Sequence, residues 1–136
     1  MAVKVGMTAA EIIECSVKSD ERGVLTIIDS GANFPFIPHR VFYIHQPKGI
    51  RGGHAHRKTS QFLFALSGSL QLSVDDGRKK ATIEISDPHC GVLLPPMIWS
   101  EQFSFSKDCI YAVLACSPYD EDDYIRDRTE FESLTK

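Results

Sequence analysis

Residues 51–77 read RGGHAHRKTSQFLFALSGSLQLSVDDG, and this stretch decides the fold. His54 and His56 are two residues apart, so on a strand both imidazoles share one face. Gln61–Ser67 and Leu70–Val74 are apolar, β-branched and aromatic, and Gly68-Ser69 separates them. Asp75-Asp76-Gly77 is a tight-turn signal, and Ala81–Ile85 reads as the returning strand.

Outward from this core the pattern continues. Upstream, Val24–Asp29 follows the Glu21-Arg22-Gly23 turn, and Arg40–His45 (RVFYIH) is β-branched and aromatic. Ala32–Pro38 holds two prolines and reads as loop or edge. Downstream, Gly91–Leu94 is a short strand ended by Pro95-Pro96, and Gln102–Phe105 alternates polar and aromatic residues. Cys109–Cys116 (CIYAVLAC) is nearly all apolar, as expected of a strand buried on both faces. Short helical turns are expected at both ends: over residues 8–14, where Thr8 and Glu11 have capping-box spacing, and around Asp120–Ile125 and Thr129–Leu134. Many short strands with frequent turns and little helix indicate an antiparallel sandwich or barrel. There is no internal repeat and no linker, so residues 1–136 are expected to form one domain.

Composition narrows the function. The net charge of −3 argues against a nucleic-acid or anionic-membrane surface binder, although a local basic pocket could hold a phosphate. No apolar run is long enough to span a bilayer, and the start lacks the apolar region of a secretory signal. A cytoplasmic protein is therefore expected. The four cysteines, Cys15, Cys90, Cys109 and Cys116, form no CxxC pair and are expected to be reduced thiols, mostly small core residues.

Two histidines on one face can bind a metal or move protons; a plain pair of surface imidazoles is the alternative. The HxH pair followed by Gln61 and Gly68 resembles the first cupin motif, with glutamine in place of the usual glutamate. Gly91-Val-Leu-Leu-Pro95-Pro96-Met-Ile-Trp99-Ser100 resembles the second, with Ser100 where a histidine normally stands. A stable divalent site wants three or four good ligands. These positions offer two imidazoles, an amide and a hydroxyl, so no catalytic metal is expected.

The segments RVFYI, KGIRGGHAHRKTSQFLFALSGSLQLSVDDG and GVLLPPMIWSEQFSFSKDCIYAVLACSPYDEDDYIRDRTEF together resemble the dTDP-sugar 3,4-ketoisomerases of the WxcM-like cupins, from about Ser19 to Phe131. The resemblance implies an all-β cupin jelly roll related to the dTDP-sugar epimerases. It implies a homodimer with exchanged N-terminal strands, and no metal or organic cofactor. The implied substrate is dTDP-4-keto-6-deoxyglucose, whose carbonyl moves from C4 to C3. The product would pass to a PLP-dependent sugar aminotransferase, toward deoxyamino sugars of lipopolysaccharide O-antigen or similar products.

That chemistry needs a base for the C3 proton, an acid at C4 and donors for the enediolate, and imidazoles titrate in the right range. By resemblance, His54 and His56 carry the proton transfers, with His56 the C3 base. The family also uses a tyrosine on the preceding strand, and Tyr43 is the only one in RVFYI. Phe42 points the other way; if the family's inward tyrosine aligns with Phe42, that role is missing. Arg51 is a candidate anchor for the diphosphate, because a guanidinium reads phosphate bidentately. Arg40 is ambiguous in the same way. Gln61 would orient a histidine or bond a sugar hydroxyl, Trp99 would line the pocket, and Ser100 would hold a water; core or surface roles are the alternatives. The Asp120–Asp123 run reads as a solvated surface that also fixes the C-terminal segment. An epimerase on the same substrate, a non-catalytic sugar-binding cupin and a metal-dependent dioxygenase are the competing readings.

Overall fold

The computed structural model describes residues 3–31 and 34–136. Ala32 and Asn33, within the stretch expected as loop or edge, lie outside the described residues. Among the described residues thirteen strands run in chain order: β1 (Val3–Lys4), β2 (Glu11–Glu14), β3 (Ser16–Asp20), β4 (Gly23–Ile27), β5 (Arg40–His45), β6 (Arg51–His56), β7 (Gln61–Ser67), β8 (Leu70–Asp75), β9 (Lys80–Ile85), β10 (Cys90–Leu94), β11 (Trp99–Phe103), β12 (Ile110–Ala115) and β13 (Tyr124–Ile125). A 3-10 turn (Glu121–Asp123) precedes β13, and helix α1 (Arg128–Leu134) follows it.

The strands form a six-stranded sheet, β1-β2-β10-β7-β12-β5, and a five-stranded sheet, β13-β6-β11-β8-β9. All their pairings are antiparallel. The all-β jelly roll is thus the fold. Inward side chains of both sheets, including Leu63, Leu72, Val74, Val92, Tyr111 and Val113, form one core. Strand alternation dictates this: Leu72 and Val74 lie two apart and both face in, while Ser73 and Asp75 face out. As the apolar run implied, β12 lies inside its sheet, between β7 and β5.

The N-terminal helical turn does not form. Thr8 Oγ1 does accept the Ala10 N–H at 3.2 Å, a local turn of the expected kind. From Glu11 the chain extends instead, pairing with β1 on one side and β10 on the other. Sheet pairing overrides the weak helix propensity of so short a window. The C-terminal turns do form, capped by Asp120 and Asp127. All four cysteines are free, but only Cys109 is buried; Cys15, Cys90 and Cys116 are half-buried at strand ends.

Among the described residues, strands β3 and β4 pair only with each other and project as a hairpin, exposing Val17 (41%), Val24 (70%) and Leu25 (58%).

Candidate active site

Strand β6 carries the histidines, and its register explains the double glycine. Gln102 of β11 sits opposite Arg51, Glu101 opposite Gly52 and Ser100 opposite His54. Gly53 is therefore an extra residue, a β-bulge. Arg51 and His54 are three apart, and regular alternation would put them on opposite faces. The bulge re-phases the strand, so Arg51, His54 and His56 all face the barrel interior. Gly52 and Gly53 have φ of +86° and +77°, and a Cβ on Gly52 would lie 2.8 Å from the Ser100 carbonyl oxygen.

The two imidazoles stand edge to face, centroids 5.3 Å apart. His56 is 6% exposed. Its Nδ1–H donates to Asp123 Oδ2 at 2.9 Å. Asp123 is itself buried and fixed, its Oδ1 accepting the Lys58 N–H at 2.7 Å. This leaves His56 Nε2, and also His54 Nδ1, buried with no hydrogen-bond partner among the described residues. Buried polar atoms are rarely left unpaired, so two on facing rings mark a place prepared for something else.

Tyr124 lies opposite His56 in the register and packs its ring on both imidazoles, at 4.3 Å from His56 and 5.0 Å from His54. Its hydroxyl accepts from Arg40 Nη1 at 3.4 Å, which leaves its own proton free. Arg126 covers the outer side of the Tyr124 ring at 4.3 Å. Glu121 grips that guanidinium through two bonds of 3.0 and 2.9 Å. Tyr119 adds a hydrogen bond to Glu121, and Arg40 lies over the Tyr119 ring at 5.0 Å.

Charges follow from these contacts. Burial is the main cause that lowers His54, to about 4, and His56 and Arg126 add to it. Burial also lowers His56, against the opposing pull of Asp123, with Arg40 and Arg126 adding to the fall. Both imidazoles are therefore neutral at neutral pH, each with a lone pair able to accept a proton. Burial pushes Asp123 up, but hydrogen bonds from Thr59, His56 and the Lys58 amide outweigh it and hold the carboxyl below its usual range. Glu121, held mainly by Arg126 and then by Tyr119, falls to about 2.

The remaining expected residues divide by face. Arg40 and Phe42 point inward on β5, and buried Gln61 faces in with Leu63 on β7. Ser100 and Gln102 face in, 3.5 Å apart, and Gln102 Oε1 accepts from the buried Tyr111 hydroxyl at 3.3 Å. Burial raises the Tyr111 phenol, and the neighbouring Arg51 guanidinium opposes that rise.

Two expectations are corrected. Tyr43 points outward, 64% exposed, because it alternates with the inward Phe42 and Ile44. Trp99 also faces away from the histidines. It pairs with outward Asp75, and packs with Ala55, Ile125 and Phe131 under α1. There it lines an outer groove of about 610 Å³, with Asp75, Glu101 and Glu132 beside Arg128. That groove holds no histidine.

The sequence reading also missed residues. Asp123, in a run that reads as solvated surface, is instead buried on His56. Tyr124, Arg126 and Glu121 were not singled out. Their signal was the YDEDDYIRD tail, whose charged and aromatic residues surround the imidazoles although it lies far from them in sequence.

Comparison with known proteins shows the family. Residues 8–136 match the family described as FdtA: WxcM-like, C-terminal. The chain is 43% identical over 114 residues to the TDP-4-oxo-6-deoxy-alpha-D-glucose-3,4-oxoisomerase of Aneurinibacillus thermoaerophilus, covering 82% of each chain. Among solved structures it is similar to QdtA, a sugar 3,4-ketoisomerase of Thermoanaerobacterium thermosaccharolyticum in complex with TDP (TM-score 0.91, 33% identity, 95% of this chain and 96% of that one). It is also similar to WlaRA, the TDP-fucose-3,4-ketoisomerase of Campylobacter jejuni (TM-score 0.89, 33% identity, 95% and 97%).

Proposed function

The chain belongs to the FdtA, WxcM-like C-terminal family, and on that premise we propose that it is the isomerase that converts dTDP-4-keto-6-deoxy-D-glucose into its 3-keto isomer. The observation that carries this reading is the pair of buried, unpartnered imidazole nitrogens on one inner face, one of them backed by a carboxylate.

The reaction follows from that pair. The C4 ketone acidifies the C3–H bond. His56 Nε2 takes the C3 proton, and Asp123 on the opposite nitrogen stabilises the imidazolium. The electron pair forms the C3=C4 double bond, and O4 gains a proton, giving an enediol. O3 then loses its proton as C4 gains one, and the carbonyl stands at C3. His54, also neutral, serves the hydroxyl protons. Tyr124, with a free O–H beside both rings, takes the donor role expected of Tyr43. Arg40 and Arg51 are the cations available to the enediolate and the diphosphate. Gln61 and Ser100 line the same interior as hydrogen-bonding groups.

The product is a 3-ketosugar, the substrate type of a PLP-dependent aminotransferase, and we place the enzyme in cytoplasmic deoxyamino-sugar synthesis of the kind that feeds lipopolysaccharide O-antigen. Residues 1–136 act as one cupin domain, and the working unit is a homodimer. The projecting hairpin supports this, as do Val41 (63% exposed), Tyr43 (64%) and Leu66 (51%) on the outer face of the six-stranded sheet. Among the described residues no helix is long and apolar enough to cross a membrane.

Proton NMR with dTDP-4-keto-6-deoxyglucose in D2O tests the proposal. The C3 proton signal should vanish as a 3-keto species appears. His56→Asn should slow this by about 10²–10⁴-fold. Tyr124→Phe should slow turnover by more than Tyr43→Phe does. Exchange without carbonyl migration would mean an epimerase. Binding without exchange would mean a non-catalytic sugar-binding protein. If His54→Asn stopped C3 exchange and His56→Asn did not, the two histidine roles would be reversed.

A further inference from the structure

At the entry to β10 the sequence runs Asp87-Pro88-His89-Cys90. Among the described residues, Asp87, His89 and Cys90 form a cluster in which one ligand atom from each lies within 4.8 Å of the other two. His89 Nδ1 and Asp87 Oδ1 already touch at 2.5 Å. All three side chains are half-buried, accessible to an ion yet shielded enough to hold one.

The backbone beneath them is fixed. The Asp87 carboxylate accepts the His89 N–H at 3.3 Å. The Asp87 carbonyl accepts the Cys90 N–H at 3.1 Å, and the His89 carbonyl accepts the Cys15 N–H at 2.7 Å. Only side-chain torsions remain to be adjusted. Tetrahedral zinc bonds of about 2.0–2.3 Å place ligand atoms roughly 3.3–3.7 Å apart, so small rotations close the cluster. Glu14 of β2 sits directly opposite Cys90 in the register, on the same face; its carboxylate lies outside the three-residue cluster and would swing in as the fourth ligand.

We propose that Asp87, His89 and Cys90, with Glu14 from the adjoining strand, bind one divalent cation of the zinc class. One thiolate, one imidazole and carboxylate oxygens suit zinc or cobalt and disfavour magnesium and calcium, which take oxygen ligands. The site is separate from the catalytic histidines. Leu94, at the other end of β10, pairs with Gln61 and faces the barrel interior, whereas Cys90 stands at the strand's start. Glu14 ends β2, and β3 begins two residues later at Ser16. A cation here ties the β9–β10 turn to the root of the β3–β4 hairpin.

The test is titration of the chelator-treated full-length protein with Co2+. Saturation at one equivalent is expected, with the near-ultraviolet charge-transfer band of a cobalt–thiolate bond. Cys90→Ser should abolish that band. His89→Ala should weaken binding by about tenfold or more. The double variant His54→Asn/His56→Asn should keep the band, which excludes the interior histidines as its source. Equimolar Zn2+ should displace cobalt and raise the melting temperature of the wild type but not of Cys90→Ser. Absence of a thiolate band, or its persistence in Cys90→Ser, would overturn the proposal. If Cys90→Ser does not fold, His89→Ala and Asp87→Asn carry the test, and unchanged cobalt affinity in both overturns it.

Discussion

Without Asp123, His56 would be one more buried imidazole stripped of water. The carboxylate fixes the ring's orientation, keeps the proton on Nδ1 and raises the basicity of Nε2. These effects separate in a pH profile. Because both imidazoles are lowered, the acid limb of kcat/KM should lie below the ordinary imidazole range of about 6.5. Asp123→Asn should lower the rate by roughly 10²-fold and move that limb to still lower pH, because the group that holds His56 up is gone. A purely structural role for Asp123 would leave the limb in place. His54 also leaves a mark on stability. Above pH 6.5 neither state binds its proton; between 6.5 and about 4 only the unfolded chain does. Stability is therefore lost as the pH drops through that window, and His54→Asn should flatten that loss in urea-denaturation midpoints.

The Gly52–Gly53 bulge in β6 decides which residues share the site. Gly52→Ala puts a Cβ against the Ser100 carbonyl in a left-handed conformation, and should cost about 1–3 kcal/mol. It should also raise KM through Arg51 more than it lowers the exchange rate at C3, which steady-state kinetics can resolve. The elements differ in how legible they were. Strands β5 and β7 matched their expected bounds, because six or seven alternating or apolar residues are signal enough. Strand β2 was misread because TAAEIIE has local helix signals, and its partners, β1 and β10, lie outside the window. Strand β13 has two residues and no periodicity at all. The same limit applied to the site. His54 and His56 announce themselves by a spacing of two, whereas Asp123 reaches His56 across 67 residues of sequence. Tyr43 was chosen over Phe42 by residue type, but strand alternation turns it outward.

At the scale of the whole molecule, an isolated two-stranded ribbon is marginal in water, and β3–β4 carries three exposed apolar side chains. In the proposed homodimer a second copy of the chain would supply the missing contacts. The wild type should sediment as a dimer, and Val24→Asp with Leu25→Asp should shift it toward monomer in analytical ultracentrifugation. The C-terminal segment has a different consequence. Every strand of the two sheets except β13 is complete by Ala115. The carboxylate behind His56, the tyrosine across both imidazoles and the arginine over that tyrosine all lie beyond it. During synthesis the two histidines of β6 leave the ribosome well before the residues that orient and flank them. A chain clipped after β12 would keep both histidines and lose the residues that orient and flank them, together with the Ile125 and Phe131 side chains that cover Ala55 and Trp99.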